Sequence, residues 1–206
     1  ICYLKEGKTV PQHKFITKQL IDKGWSEDKK YCLTDEQGKR FLLRVSPIEQ
    51  YDRKKSEYEL MSQVATLGVP MCKPLEFGTS DEGVYSIQTW IDGVDVEENV
   101  HNLTCEEQYS YGFEAGRILK EIHKIPAPKG IEDWEIYFNR KADRKIKMYE
   151  ECPIKYENGQ AFIDYINAHR YLLIGRPRTY QHGDYHIGNM MIGNDKQLYI
   201  IDFNRN

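Results

Sequence analysis

The sequence contains no apolar run approaching the roughly 18 residues needed to cross a bilayer, and no secretory leader is visible. Neither a membrane partner nor export is expected. Its five cysteines (Cys2, Cys32, Cys72, Cys105 and Cys152) are scattered, odd in number and never spaced C-x-x-C. That excludes a disulfide framework and points to free thiols in a reducing compartment, so a cytoplasmic location is expected. An excess of basic charge is also lacking. A net charge of −3 argues against nucleic acid as a partner, because phosphate backbones select strongly basic surfaces. There is no G-x-G-x-x-G or Walker-type loop. The chain begins at Ile1 without a Met and stops four residues after Asp202, which reads as a fragment of a longer protein.

What is present suffices for a core. The 206 residues are 40% hydrophobic and 12% aromatic, enough for one large domain or two small ones sharing a cleft. The most informative stretch is Gln181-His182-Gly183-Asp184-Tyr185-His186-Ile187-Gly188-Asn189, with Ile200-Ile201-Asp202-Phe203 shortly after. Met190-Met191-Ile192 reads as a strand, Gly193-Asn194-Asp195-Lys196 as a turn and Gln197 to Ile201 as the returning strand. This hairpin sets Asn189 and Asp202 at one open end, with Asp184 in the loop that feeds it. Two oxygen ligands there suit a hard cation such as Mg²⁺. A further carboxylate close by suits a base that orients a hydroxyl for attack on a phosphoryl group. The spacing H-x-D-x4-N, then apolar-Asp-Phe, is that of a kinase catalytic loop and its metal-binding Asp. A rival reading takes His182, Asp184 and His186 as zinc ligands alternating on a strand. It leaves Asn189 and Asp202 without a role, offers no fourth ligand and places Gly183 and Gly188 inside a strand. A third reading is a polar loop that merely caps a hairpin.

Upstream, Phe15 to Gly24 predicts a short helix with Phe15, Ile16 and Leu20 on one side. Lys30 to Thr34 and Arg40 to Val45 read as strands joined by the turn Asp35-Glu36-Gln37-Gly38, and Pro47 ends the second. A helix from about Ile48 to Leu67 carries the stripe Leu60, Met61, Val64 and Leu67. Glu57 lies on the same stripe, and an inward carboxylate needs a partner. Arg44, set among apolar neighbours, is the expected cation; the alternative places Glu57 at the solvent edge and lets Arg44 snorkel. Strands follow near Pro74 to Gly78 and Gly83 to Thr89. After Trp90-Ile91-Asp92-Gly93 the character turns helical, with a capping box at Thr104-Cys105-Glu106-Glu107 and a stripe from Tyr111 to Ile125. Ala161 to Leu173 reads as another helix. The basic run Arg140 to Lys147 reads as a solvated helix face flanked by acids. Residues 1–90 thus form a β-rich N-terminal lobe, and residues 91–206 a helical lobe that carries the loop at Asp184.

With these pieces the chain resembles the aminoglycoside phosphotransferase family of small-molecule kinases, from about Phe15 to Asp202. The HGDYHIGN and IIDF stretches carry the resemblance. The Gly24-Trp25-Ser26 loop, Phe41-Leu42-Leu43-Arg44-Val45, Glu57, Gly68-Val69-Pro70, the Thr89 to Gly93 linker, and Gly116-Arg117-Ile118-Leu119 with His123 support it. The resemblance implies an α+β, two-lobed, protein-kinase-like fold with a small antiparallel sheet, one main N-lobe helix and a helical C-lobe that lacks its last helices here. It implies ATP or GTP with Mg²⁺ as cofactors and a small-molecule acceptor, an aminoglycoside (and hence antibiotic resistance) or a metabolite hydroxyl. Asp184 would be the base, and Asn189 and Asp202 would hold the metal. Arg44 would replace the phosphate-binding lysine with Glu57 as its helix partner, Ser26 would cover the phosphates, and the Thr89 and Ile91 backbone would hold adenine. His182 would support the loop. Arginine in the lysine position offers a planar fork instead of a point charge. A nucleotide-binding module without transfer activity is disfavoured because Asp184, Asn189 and Asp202 are all present; a protein kinase is disfavoured because no Ala-Pro-Glu segment is.

Overall fold

The computed structural model describes residues 14–22 and 28–203. Its strands and helices run β1 (Phe15–Ile21), β2 (Lys29–Asp35), β3 (Arg40–Ser46), α1 (Tyr51–Thr66), β4 (Pro74–Ser80), β5 (Gly83–Thr89), β6 (Gly93–Asp95), α2 (Val96–Asn99), α3 (Cys105–Ile122), α4 (Trp134–Glu151), α5 (Gly159–Ala168), β7 (Met190–Gly193) and β8 (Leu198–Ile200). The chain forms two compact units. One comprises the described residues up to His123 together with those from Gln181 to Phe203, and the other is Lys124–Tyr180.

The first unit is built on a five-stranded antiparallel sheet in the order β1-β2-β3-β5-β4. Alternation along β3 explains its two faces. Phe41, Leu43 and Val45 are buried with Leu33 and Ile87 in one core, so Arg44 and Ser46 project to the opposite face. The turn between β2 and β3 is closed by Asp35, whose Oδ1 accepts from the N–H groups of Gln37 and Lys39, with Gly38 at φ 78°. Helix α1, preceded by a 3-10 turn at Ile48–Gln50, buries Met61 and Val64.

Three elements depart from the sequence-based expectation. Residues 15–21 form an edge strand and not a helix. Their β-branched Ile16, Thr17 and Ile21 fit an extended backbone, β1 pairs with β2 from Phe15↔Asp35 to Ile21↔Lys30, and the Phe15 ring meets Phe41 edge-on at 5.5 Å. Strand β6 was not expected. It pairs with β7 in a second, three-stranded sheet, β6-β7-β8, so the change of composition near residue 90 falls inside the first unit. A side chain at Gly93 would collide with the Ile192 carbonyl, and glycine there lets the strands meet. The helix expected to reach Leu173 ends at Ala168 and gives way to a 3-10 turn at Arg170–Leu173.

The β7/β8 hairpin forms as expected, in the register Met190↔Ile200 to Ile192↔Leu198. Helix α3 packs near it, started by the reciprocal Thr104/Glu107 capping box, and receives the Tyr185 hydroxyl on the Ala115 carbonyl at 2.7 Å. In the second unit, Arg140, Lys141, Arg144, Lys145 and Lys147 are all exposed on α4, the solvated face the sequence suggests.

His182 fixes the loop before the hairpin. It is buried, its Nε2 lies 2.9 Å from the Ile201 carbonyl, and its ring packs edge-on against Phe203 (4.6 Å) and Tyr185 (5.5 Å). Nε2 must donate to that carbonyl, so Nδ1 is the lone-pair nitrogen and faces the Asp184 N–H at 3.4 Å. Burial holds the imidazole neutral, and the hydrogen bond to Ile201 only partly opposes it. In the unfolded chain the ring protonates near its ordinary value of about 6.5. Between that value and the lower folded one the unfolded state binds more protons, so stability falls as pH drops below about 6.5. Denaturant unfolding between about pH 7 and 5 should show a steeper loss in the native protein than in His182→Gln. Equal slopes would mean that His182 titrates alike folded and unfolded.

Candidate active site

The hairpin mouth brings three expected residues together. Beyond the Met190↔Ile200 pair, the Ile201 N–H donates to the Asn189 carbonyl at 3.0 Å, which aligns Asn189 with Asp202 at the same open end. Asn189 ends a 3-10 turn (Ile187–Asn189) and is buried. Its Nδ2 donates to the Asp184 carbonyl (2.9 Å) and Oδ2 (3.2 Å), and lies 3.5 Å from His186 Nε2. With Nδ2 committed to Asp184, Oδ1 is the atom of Asn189 left to meet a cation. Asp202 turns out of the hairpin at φ 69°, a left-handed conformation uncommon for a residue with a side chain.

Arg44 joins this mouth from β3. Its Nη1 donates to Asp202 Oδ1 at 2.8 Å, across 158 positions of sequence. Its Nε and Nη2 both donate to Asp28 Oδ2, at 3.2 and 2.9 Å. The expected Arg44–Glu57 pair does not form. Glu57 does face inward, with its side chain 12% exposed, but its carboxylate is held by Lys54 (3.1 Å) and Arg53 (2.9 Å) on its own helix. Asp28 lies directly against the guanidinium, and Lys54, three residues before Glu57, reaches both acids.

Burial of Arg44 disfavours its charge, but the Asp202 and Asp28 carboxylates outweigh this and hold its proton more tightly than usual. For Asp28, burial pushes the carboxyl up and is outweighed by Arg44, the Ser46 hydroxyl and Lys54, so it stays below the usual carboxylate range. Lys30, directly across β2 from Arg44, is pushed down by burial and by repulsion from that guanidinium.

The sequence reading missed Asp28, Ser46 and Lys54. Ser46 shares Arg44's face by alternation and Lys54 shares Glu57's face of α1, so both carried a positional signal. Asp28 precedes β2 and carried none.

Three further residues were expected at the site: Thr89, Ile91 and Ser26. Thr89 ends β5, where its N–H donates to the Lys73 carbonyl and its Oγ1 accepts from the Lys73 N–H, each at 2.9 Å. Ile91 is buried beyond it. Ser26 lies outside the described residues. The zinc alternative finds no support: His182 directs Nε2 to a carbonyl, and among the described residues no group of three or more His, Cys, Asp or Glu is placed to hold a metal.

No curated protein matches the sequence. Among solved structures, the chain is similar to the aminoglycoside phosphotransferase APH(2'')-Ib with ADP bound (TM-score 0.64, 17% identity, covering 93% of this chain and 66% of that one). It is similar to APH(2'')-IIa in its ternary complex with streptomycin and ATP (TM-score 0.60, 17% identity, 92% and 66%). It is also similar to a protein described as a fructosamine-3-kinase from Haemophilus somnus 129PT (TM-score 0.61, 10% identity, 92% and 66%). The chain thus spans just under two thirds of the length of these relatives and shares their kinase-like α+β fold. A family model described as the phosphotransferase enzyme family matches residues 18–205, and with that match over nearly the whole sequence, the chain belongs to the phosphotransferase enzyme family.

Proposed function

We propose that the protein transfers the γ-phosphoryl group of ATP or GTP, with Mg²⁺, to a hydroxyl of a small molecule. The carrying observation is the meeting of Asp184, Asn189 and Asp202 at one hairpin mouth with Arg44 beside them. The donor set fits the metal. A carboxylate and a carboxamide oxygen are hard ligands, and Mg²⁺ takes few protein ligands and keeps waters. Asn189 and Asp202 would hold Mg²⁺, whose charge would offset that of the nucleotide's phosphates.

The chain's own residues supply the rest. Asp184, oriented by Asn189 Nδ2, accepts the hydrogen bond of the acceptor hydroxyl and points its oxygen at the phosphorus. Arg44 exchanges its contact with Asp202 for phosphate oxygens. The Thr89–Ile91 segment borders adenine, Ser26 covers the phosphates, and His182 keeps the loop in register. Residues 1–90 serve as the nucleotide lobe and 91–206 carry the catalytic loop. The similarity to structures described with ATP and ADP supports a nucleotide cofactor.

For the acceptor, the similarity to aminoglycoside phosphotransferases supports an aminoglycoside, and the similarity to a protein described as a fructosamine-3-kinase supports a metabolite hydroxyl. Cys32, Cys72, Cys105 and Cys152 are free thiols, which suits a cytoplasmic enzyme. Among the described residues no helix is long and apolar enough to cross a membrane.

Asp184→Asn should lower transfer by about 10²- to 10⁴-fold, the usual range for a positioned acid or base, and leave Mg·ATP affinity within about twofold. Single-turnover assays with a hydroxyl-acceptor panel, run beside nucleotide titrations, check this. Equal turnover in both proteins would remove Asp184 from the reaction. Asp202→Ala should weaken ATP binding when Mg²⁺ is present. In excess chelator the same variant should bind ATP as well as or better than the native protein, because Arg44 is released from its carboxylate. An equal loss with and without Mg²⁺ would show that Asp202 is no metal ligand.

A further inference from the structure

The partners of Arg44 differ in kind. Asp28 is the more enclosed, its side chain 4% exposed, and it is the more fully bonded. Both Nε and Nη2 of Arg44 meet its Oδ2, Lys54 Nζ meets the same oxygen at 3.0 Å, and the Ser46 hydroxyl donates to its Oδ1 at 2.7 Å. Asp202, at 26% exposed, meets Arg44 through Nη1 alone. One edge of the guanidinium is therefore held inside the sheet, and the remaining donor faces the hairpin mouth.

We propose that Asp28, and not Glu57, is the residue that positions Arg44 for a nucleotide's phosphates, with Ser46 and Lys54 holding Asp28 in place and Asp202 as the partner that Arg44 exchanges. This rests on the nucleotide reading above. It also accounts for an arginine at position 44. A guanidinium presents donors along two directions in one rigid plane, so it can stay bound to Asp28 on one edge and offer Nη1 outward. An ammonium is a single point on a flexible stem; held by Asp28, it has no second fixed direction to offer. Lys54 extends the arrangement into α1. Its ammonium lies between Asp28 and Glu57, so Glu57 acts on Arg44 only through Lys54 and Asp28. The usual direct pair between a strand cation and a helix acid is replaced here by the chain Glu57–Lys54–Asp28–Arg44.

The test compares dissociation constants for Mg·ATP and for adenosine, which has no phosphate, in the 206-residue chain. Asp28→Asn keeps the size of the side chain but removes its charge. It should weaken Mg·ATP by about tenfold or more, the scale of one charge-assisted hydrogen bond, and leave adenosine within about twofold. Arg44→Lys should lose a similar factor, and the double variant should lose little more than either single one. Ser46→Ala, which only loosens Asp28, should repeat the pattern at a smaller size and serves if Asp28→Asn does not fold. Equal weakening of Mg·ATP and adenosine, which marks a general loss of structure, or full additivity with Arg44→Lys, which marks independent action of the two residues, would overturn the positioning role. Unchanged Mg·ATP affinity in Asp28→Asn would overturn it with the nucleotide reading intact. If the native protein binds neither ligand, the nucleotide reading falls and takes this inference with it.

Discussion

A buried guanidinium constrains the first unit more than any other group. Arg44 is 11% exposed in the middle of a sheet, between Leu43 and Val45, which belong to the core of the opposite face. Several kcal/mol are lost when such an ion is left without partners. Two carboxylates answer that demand from distant parts of the chain, Asp28 before β2 and Asp202 after β8. The pair Arg44–Asp202 is thus an electrostatic tie between the five-stranded sheet and the hairpin. Asp28, Asp202, Lys54 and Glu57 would each be costly to bury alone; as a connected group each acid meets at least one cation.

The backbone around Asp202 is shaped to the same end. A left-handed residue with a side chain persists only where its surroundings over-determine it. Here Ile201 on one side is held through its N–H by Asn189 and through its carbonyl by His182, and Phe203 on the other is fully buried against the His182 ring. With both neighbours fixed, Asp202 is turned so that its carboxylate meets Arg44. His182 therefore acts on the site through the backbone, and a charge on its ring would undo the arrangement that aims Asp202.

Local chemistry made much of this legible in the sequence. Turn residues placed β2, β3, β4 and β5 within a residue or two, the Thr104–Glu107 box placed the start of α3, and the Asn189 and Asp202 positions followed from one hairpin. What stayed hidden depended on long-range pairing. Residues 15–21 have a helix-like scatter of apolar positions, and only the neighbouring β2 makes them a strand. β6 is three residues long, too short for a periodic signal, and exists because β7 is there to pair with it. The inward Glu57 was correctly read as needing a cation. That cation is Lys54, three residues away on the same helix, and not Arg44; nothing local marks Asp28 as the acid that reaches Arg44.

The acids that flank the basic run of α4 show the same lesson in the second unit. Glu132, Asp133 and Glu135 cluster before and within the start of α4. Glu132 already holds Arg140 at 2.5 Å through its carboxylate, and its carbonyl accepts from Arg178. Asp133 occupies the N-cap position of α4 and Glu135 lies in its first turn. Carboxylates there are favoured by the unpaired N–H groups and the positive end of the helix dipole, by up to about 1 kcal/mol each. The cluster is thus what an 18-residue helix carrying five exposed basic residues requires at its beginning. Glu132 is therefore engaged by Arg140, and Asp133 and Glu135 occupy positions that the helix start itself favours, so the sequence cluster of three acids is accounted for by the local structure of α4.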